Sequence, residues 1–516
     1  MPENQVAKQH PSDHDATFDL NSLPPMKREI VHALHSVADS IPWVLSATLT
    51  GSFLNSDDLS GVSDIDYIVI VDQLQRERFD SLQAAFQQQL EPVVQAHGWK
   101  LRINPTLGPL KFNDEQTAVL HLMLYSREAH VKHVIESPFT CFDWQLSPVN
   151  HRASMADIYP AFALQPRHFV SARRSITDYL NDYRARVVSY RELICNDVSY
   201  EERKQLKPMT VRDQHEFAYH IIRFLMKNVV KLLTRSNRDL PSEELQTAFF
   251  RYFPAEESSI RAFFGELSAC KHSQQFDPPV DNLDERLESF AAIFEEQFRS
   301  IFHAEATRHV VFRHAPTPQN YAEDGSVRFL GRSNPEILPL EAAALSDLNA
   351  AVASLTSPRY YSSPQTRCRQ SLASMDPGVE VETDDRLQEI NYGACEGMTV
   401  QAARNSHPAL FQAWQQGQDP RFPGGECTED VLQRSLEAMT DVWDNSQTDT
   451  VTCTHNVVLR CLVGNALGVP RSQWYRLKIP HLAPITFIRT PEHGVYLDLS
   501  PEVERQIFQS FSDSMR

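Results

Sequence analysis

Val310-Val311-Phe312-Arg313-His314-Ala315-Pro316-Thr317 is the stretch on which the fold of this chain turns. Three apolar residues end in an Arg-His pair, and a proline turn follows. The pattern predicts a buried strand that delivers two side chains to its C-terminal end, where open α/β sheets place their ligand crevices. Arginine offers a planar fork suited to phosphate oxygens, and histidine serves as nucleophile or acid–base group near neutral pH. An isolated Arg-His pair is also an ordinary surface dipeptide, so its meaning depends on which other side chains reach that crevice.

Three further pieces do. Tyr360-Tyr361-Ser362-Ser363-Pro364-Gln365-Thr366-Arg367 ends a strand and opens a helix, which places Arg367 near a helix N-terminus, itself an anion site. Thr452-Cys453-Thr454-His455 ends a third strand with a second histidine. The loop Leu387 to Gly397 supplies Glu389 and Glu396. Two arginines and two histidines suit a phosphoryl group: one histidine attacks phosphorus while the other cations hold the equatorial oxygens. A carboxylic acid must then protonate the leaving alkoxide. The surrounding pattern predicts strands at 310–312, 359–362 and 450–454. Helices are expected at 341–354, 364–374, 400–417, 428–444 and 456–467, an α/β arrangement.

Taken together, residues 308–510 resemble the histidine phosphatase superfamily, which includes the phosphoglycerate mutases and the alpha-ribazole phosphatase type. The resemblance implies an α/β three-layer domain, set here at 306–516. It implies His314 as the phosphorylated nucleophile beside Arg313, Glu389 as general acid in preference to Glu396, and His455 as the second histidine. Arg367 matches the arginine after the Ser-Ser-Pro turn, and Thr317 and Asn320 fall at the third and sixth positions after the nucleophile. Phe422-Pro423-Gly424-Gly425-Glu426 matches a loop that often precedes the last long helix. The usual glycines after the two histidines are Ala315 and Asn456 here. Asn456 and Arg332 are candidate substrate contacts, and the superfamily mechanism needs no metal.

The N-terminal half carries a second phosphate-handling pattern. A helix is expected after Pro24-Pro25, with Ile30, Leu34, Val37 and Ile41 on one face, then a strand from Val44 to Thr50. Gly51-Ser52 makes a tight turn, and Ser63-Asp64-Ile65-Asp66 leads into the apolar strand Ile68 to Val71. Asp64 and Asp66 are two apart on a strand and share a side, an arrangement that a cation between them would relieve. Mg²⁺ is commonly held by one or two carboxylates plus substrate phosphates. This order resembles the polymerase-beta-type nucleotidyltransferase superfamily over residues 28–130. It implies an α+β domain (25–150), an all-helical partner domain (151–305), Mg²⁺ on Asp64 and Asp66, and a nucleoside triphosphate against Gly51 and Ser52. The family's third carboxylate belongs on the strand Ala118 to Tyr125, whose central polar residue is His121. That role falls to His121, to Asp114 or Glu115 from the preceding turn, or to nothing. A helix is expected over 74–97, and one apolar stripe from Phe169 to Ile194 reads as a long helix. On the next, 211–234, Arg223, Lys227 and Lys231 share a face, with Lys227 and Lys231 candidate triphosphate contacts. His215 and His220 are five apart, out of line for a zinc helix.

With 516 residues the chain needs several cores. Its net charge of −18 argues against broad nucleic-acid or anionic-membrane binding. Eight scattered cysteines without a CxxC pair, a polar N-terminus and no long apolar run fit a cytoplasmic protein that does not enter membranes, with residues 1–24 a flexible tail. The expected function is nucleotidyl transfer to a small acceptor plus phosphomonoester hydrolysis of a small phosphorylated substrate. Two alternatives are a phosphatase with an inactive N-terminal binding or regulatory module, and an RNA- or protein-modifying nucleotidyltransferase with phosphatase.

Overall fold

Ile68 to Val71 is apolar throughout, and in the computed structural model all four side chains are buried at the centre of a five-stranded sheet. The structure describes residues 19–54, 65–112, 116–236, 238, 240–321, 323–375, 378 and 380–513. Strands β1 (Val44–Thr50) and β2 (Ile65–Val71) pair antiparallel. β3 (Lys100–Asn104) and β4 (Thr117–Ser126) run parallel to β2, and β5 (Val149–Arg152) adds antiparallel to β1, giving the order β3-β4-β2-β1-β5. The helices Pro25–Ser40 and Arg76–Ala96 bury Ile30, Leu34 and Val37, and Leu82, Phe86 and Leu90, at helical spacing. Of the expected tail, residues 1–18 lie outside the described ones. Leu20–Ser22 forms a single 3₁₀ turn, and Leu23 is buried, so the tail ends sooner than the sequence suggests.

The stripe from Phe169 to Ile194 is not one helix. The helix Pro166–Ala185 stops at Arg186, which turns left-handed at φ 56°. The chain then enters an antiparallel ribbon of β6 (Val187–Cys195) and β7 (Tyr200–Pro208). The middle region is therefore not all-helical. The ribbon is tied to the first unit by two backbone hydrogen bonds between Leu107 and Arg191, at 2.9 and 2.8 Å, contacts no local pattern announces. Beyond it, Val211–Thr234, Ser242–Phe250, Glu257–Ser273 and Leu283–Arg299 are helices around a core of phenylalanines, with the Phe249 and Phe253 rings 4.6 Å apart.

The last sheet comprises β8 (Thr307–Arg313), β9 (Arg359–Ser362), β10 (Val381–Thr383), β11 (Thr450–Thr454), β12 (Ile485–Thr490) and β13 (Gly494–Asp498). Their order is β10-β9-β11-β8-β12-β13. The first four are parallel, and β12 pairs antiparallel with both β8 and β13. Parallel neighbours need long crossovers, and helices such as Thr366–Met375 and Thr428–Asn445 supply them. The helix expected over 400–417 breaks into Val400–Ser406 and Pro408–Gln415, because proline disfavours helical backbone at the residue before it. Edge strand β13 is covered by the middle region: Tyr496 shares its core, and Arg235 Nη2 donates to the Val495 carbonyl at 2.8 Å. Among the described residues no helix is long and apolar enough to cross a membrane.

Candidate active site

Arg313 pairs with Thr454 across β8 and β11, and Ser362 pairs with Cys453 across β9 and β11. The next residues along each chain segment, His314, His455 and Ser363, therefore leave the sheet side by side at the C-terminal ends of parallel strands. All three are buried, as are Arg367 and Glu389. Five residues from four separate stretches of sequence thus meet at one sheet edge.

The hydrogen bonds fix which nitrogens carry protons. His314 Nδ1 lies 2.6 Å from the Ala315 carbonyl, which can only accept, so Nδ1 holds the hydrogen and Nε2 presents a lone pair. Arg367 Nε–H points at that lone pair from 3.2 Å and at His455 Nδ1 from 3.3 Å. His455 Nε2 is 2.8 Å from the Ser363 hydroxyl. Burial, then the Arg367 guanidinium, hold both imidazoles well below their ordinary range, so both are neutral at pH 7. Arg367 is pinned by the Ser333 and Gly331 carbonyls at 2.6 and 2.9 Å. Arg313 donates through Nη1 to the Ile479 carbonyl at 2.9 Å, while its buried Nε has no hydrogen-bond partner among the described residues. Burial brings Arg313 down to about 10, which still leaves it charged.

The two candidate acids are placed differently. Glu389 accepts from the Ile390 and Val457 amides at 3.0 and 3.1 Å, the latter in the first turn of the helix Asn456–Ala466. Burial raises its carboxyl despite those amides and the nearby Arg367 and Arg313. Glu396 instead accepts from the Gly331, Arg332 and Ser333 amides and the Ser333 hydroxyl, fastening the loop that pins Arg367. A side chain at Gly331 would strike the Ile390 carbonyl at 2.3 Å, so only glycine allows that loop so close.

Thr317 and Asn320 are buried and bonded to each other: the Thr317 amide and hydroxyl both donate to Asn320 Oδ1 at 2.8 Å. Arg332 lies at the rim, bonded to Gln388 and 3.4 Å from Glu426. Asn456 is partly buried at the start of its helix. The sequence did not single out His481, whose Nδ1 donates to the His314 carbonyl at 2.6 Å, or Ser371, which receives the Ala315 amide at 2.8 Å. Both arrive from distant elements and leave no local signal.

The N-terminal candidates gather only in part. Asp64, Asp114 and Glu115 lie outside the described residues, and of Ser52 only the backbone, in the turn Ser52–Leu54, is described. Gly51, at φ 83°, lies against Asp66: a Cβ there would be 2.5 Å from Oδ2. Asp66 and His121 are register partners on β2 and β4, so His121 occupies the place expected for a third carboxylate. Its Nε2 meets the Thr106 carbonyl at 2.9 Å and must carry hydrogen. Its Nδ1 meets Asp66 Oδ1 at 3.0 Å, a contact that requires a second proton, on the imidazole or the carboxyl. Among the described residues no group of three metal-ligating side chains occurs. Lys227 and Lys231 both bond Asp143, at 3.0 and 2.7 Å.

Residues 310–500 match the family model described as the histidine phosphatase superfamily (branch 1). A bifunctional protein of Mycobacterium tuberculosis is 29% identical over 183 residues, 34% of this chain and 48% of its own length. Human 6-phosphofructo-2-kinase/fructose-2,6-bisphosphatase 4 is 35% identical over 104 residues, 20% of this chain and 22% of its own. The chain thus spans about half the length of the first of these relatives and less of the second. A mycobacterial glucosyl-3-phosphoglycerate phosphatase structure is similar at 22% identity and a TM-score of 0.32, covering 38% of this chain and 98% of that one. This multidomain chain therefore carries, in its C-terminal region, an α/β domain of the histidine phosphatase superfamily.

Proposed function

We propose that the chain hydrolyses phosphomonoesters of small metabolites through a phosphorylated His314. The observation that carries this reading is the Nδ1–H bond to the Ala315 carbonyl, which leaves a neutral His314 with its Nε2 lone pair facing Arg367. In the proposed reaction Nε2 attacks phosphorus as the ester P–O bond breaks. Protonated Glu389 gives its proton to the departing oxygen, and then, as carboxylate, takes one from the water that cleaves the P–N bond. Arg367, and Arg313 through its unpartnered Nε, neutralise the phosphoryl oxygens. Thr317, Asn320, Arg332 and Asn456 line the approach. A relative whose name includes fructose-2,6-bisphosphatase supports a small phosphorylated substrate. The cationic pocket supplies the positive charge, so hydrolysis of an aryl phosphate is expected to continue undiminished in EDTA. Loss of turnover on chelation, restored by a divalent ion, would contradict the reading.

For the N-terminal unit, His121 in the place of a third acid favours a binding module over metal-dependent nucleotidyl transfer. With Mg²⁺ and each of the four nucleoside triphosphates, no pyrophosphate release that depends on Asp66 is expected. Release that disappears in Asp66→Asn would restore the bifunctional reading.

A further inference from the structure

Glu389 stands just past the single turn Asp385–Leu387, in chain that belongs to no strand or helix. A side chain on such a segment is aimed only as well as the segment itself is held, and misplacing a reacting group by about 1 Å can cost ~10²-fold in rate. Most of the hold comes from one residue behind the loop. Arg434, in the second turn of the helix Thr428–Asn445, donates through Nη1 to the Arg386 and Gln388 carbonyls at 2.6 and 2.7 Å, and through Nη2 to the Glu389 carbonyl at 3.3 Å. Its other N–H groups go to Glu426: Nε to Oε1 at 2.9 Å and Nη2 to Oε2 at 3.1 Å. Glu426 Oε2 in turn accepts the Asn391 amide at 2.8 Å. One ion pair therefore grips the backbone on both sides of the general acid.

The residue types suit this task. A guanidinium presents its N–H groups in a rigid planar fork, so one side chain meets three carbonyls and both oxygens of a carboxylate, which a lysine cannot do. Both partners are largely buried, with side chains 16% and 18% exposed, so salt screens the pair less than it would a surface one. Burial pushes the Glu426 carboxyl up, but Arg434, the Asn391 amide and Arg332 outweigh it, and Glu426 stays charged at neutral pH. Two other contacts help: the Thr454 hydroxyl donates to the Leu387 carbonyl at 2.8 Å, and the Glu389 amide donates to Gln365 Oε1 at 3.1 Å. Arg434 also lies near enough to His455 to add, after burial, Arg367 and His314, to what keeps that imidazole neutral. An effect carried through His455 would fall on every ester alike, whereas one carried through Glu389 depends on the leaving group.

We propose that Arg434, with Glu426 as its counter-ion, is the positioning residue that aims the Glu389 carboxyl at the departing oxygen. The inference rests on the reading of Glu389 as general acid. Among the described residues the hydrogen bonds of Arg434 go to the 386–389 backbone and to Glu426, so it acts through the loop and not on the phosphoryl group itself.

The test measures kcat/KM of the full chain for an alkyl phosphate and for nitrophenyl phosphate, in Arg434→Lys, in Glu389→Gln and in the double variant, with thermal melts alongside. In Arg434→Lys the alkyl ester is expected to lose about 10- to 100-fold and the nitrophenyl ester far less. In the Glu389→Gln background Arg434→Lys should cost the alkyl ester nothing further, because the group it aims is gone. Glu426→Gln should show the same split to a smaller extent, and it carries the test should the melt show Arg434→Lys unfolded. Equal losses on the two esters in a folded variant would assign Arg434 to His455 or to the fold at large and overturn the proposal. So would a full further loss in the double variant, or an alkyl-ester rate untouched by Arg434→Lys while Glu389→Gln abolishes it. Should Glu389→Gln itself spare the alkyl ester, the general-acid reading fails, and the positioning role fails with it.

Discussion

His314→Ala is expected to lower kcat/KM for an aryl phosphate by about 10⁴-fold or more, while the protein stays folded. The size comes from the geometry. His314 is the group whose lone pair is held toward Arg367 by a backbone carbonyl, and its imidazole is neutral because burial and two guanidinium groups oppose its protonation. His455 cannot replace it: its Nε2 is committed to Ser363, and its Nδ1 already accepts from Arg367. Steady-state hydrolysis and a thermal melt measured together would separate lost chemistry from lost fold. Retention of more than a tenth of the activity would contradict the assignment.

Glu389→Gln is expected to have the second-largest effect, and one that depends on the leaving group. With an alkyl phosphate the alkoxide must be protonated as it departs, and the loss should be ~10²–10⁴-fold. With a nitrophenyl ester, whose phenolate leaves without help, the first step should be little affected. The pH dependence gives an independent check. Burial raises the Glu389 carboxyl, so the acid form persists above the usual carboxylate range, and kcat/KM for an alkyl phosphate should fall as pH rises through that raised value. The His314 imidazole is shifted the other way, so the acid limb should lie well below 6.5. In Glu389→Gln the alkaline limb should vanish. A profile unchanged by that substitution would instead point to Glu396, although its oxygens are occupied by the amides at 331–333.

Much of the C-terminal half was legible in its sequence, for a physical reason. β8 and β11 are short strands with buried centres, each leading directly into a histidine, and parallel strands deliver their next residues to one edge of the sheet. The supports of the site were not legible. His481 reaches His314 by pairing next to Arg313, and Ser371 reaches the Ala315 amide from a crossover helix. Neither has a local pattern to betray it. In the N-terminal half the spacing of β1, β2 and β4 was readable, and so was His121 as the polar residue at the centre of β4. That this histidine bonds Asp66 required the register of two strands. The long stripe ending at Ile194 misled because residues three and four apart mark a helix only while the backbone stays helical, and Arg186 leaves that conformation. Lys227 and Lys231 do share a face, and both bond Asp143.

The most direct test of the central claim is a trap for the covalent intermediate. Wild-type protein would be mixed with a radiolabelled phosphomonoester, quenched in base within a turnover, and digested for mass spectrometry. The expected result is one phosphate on His314 Nε2, lost in mild acid, stable in base and absent from His314→Ala. Turnover without any acid-labile phosphate on the protein, or a label carried by another residue, would contradict it.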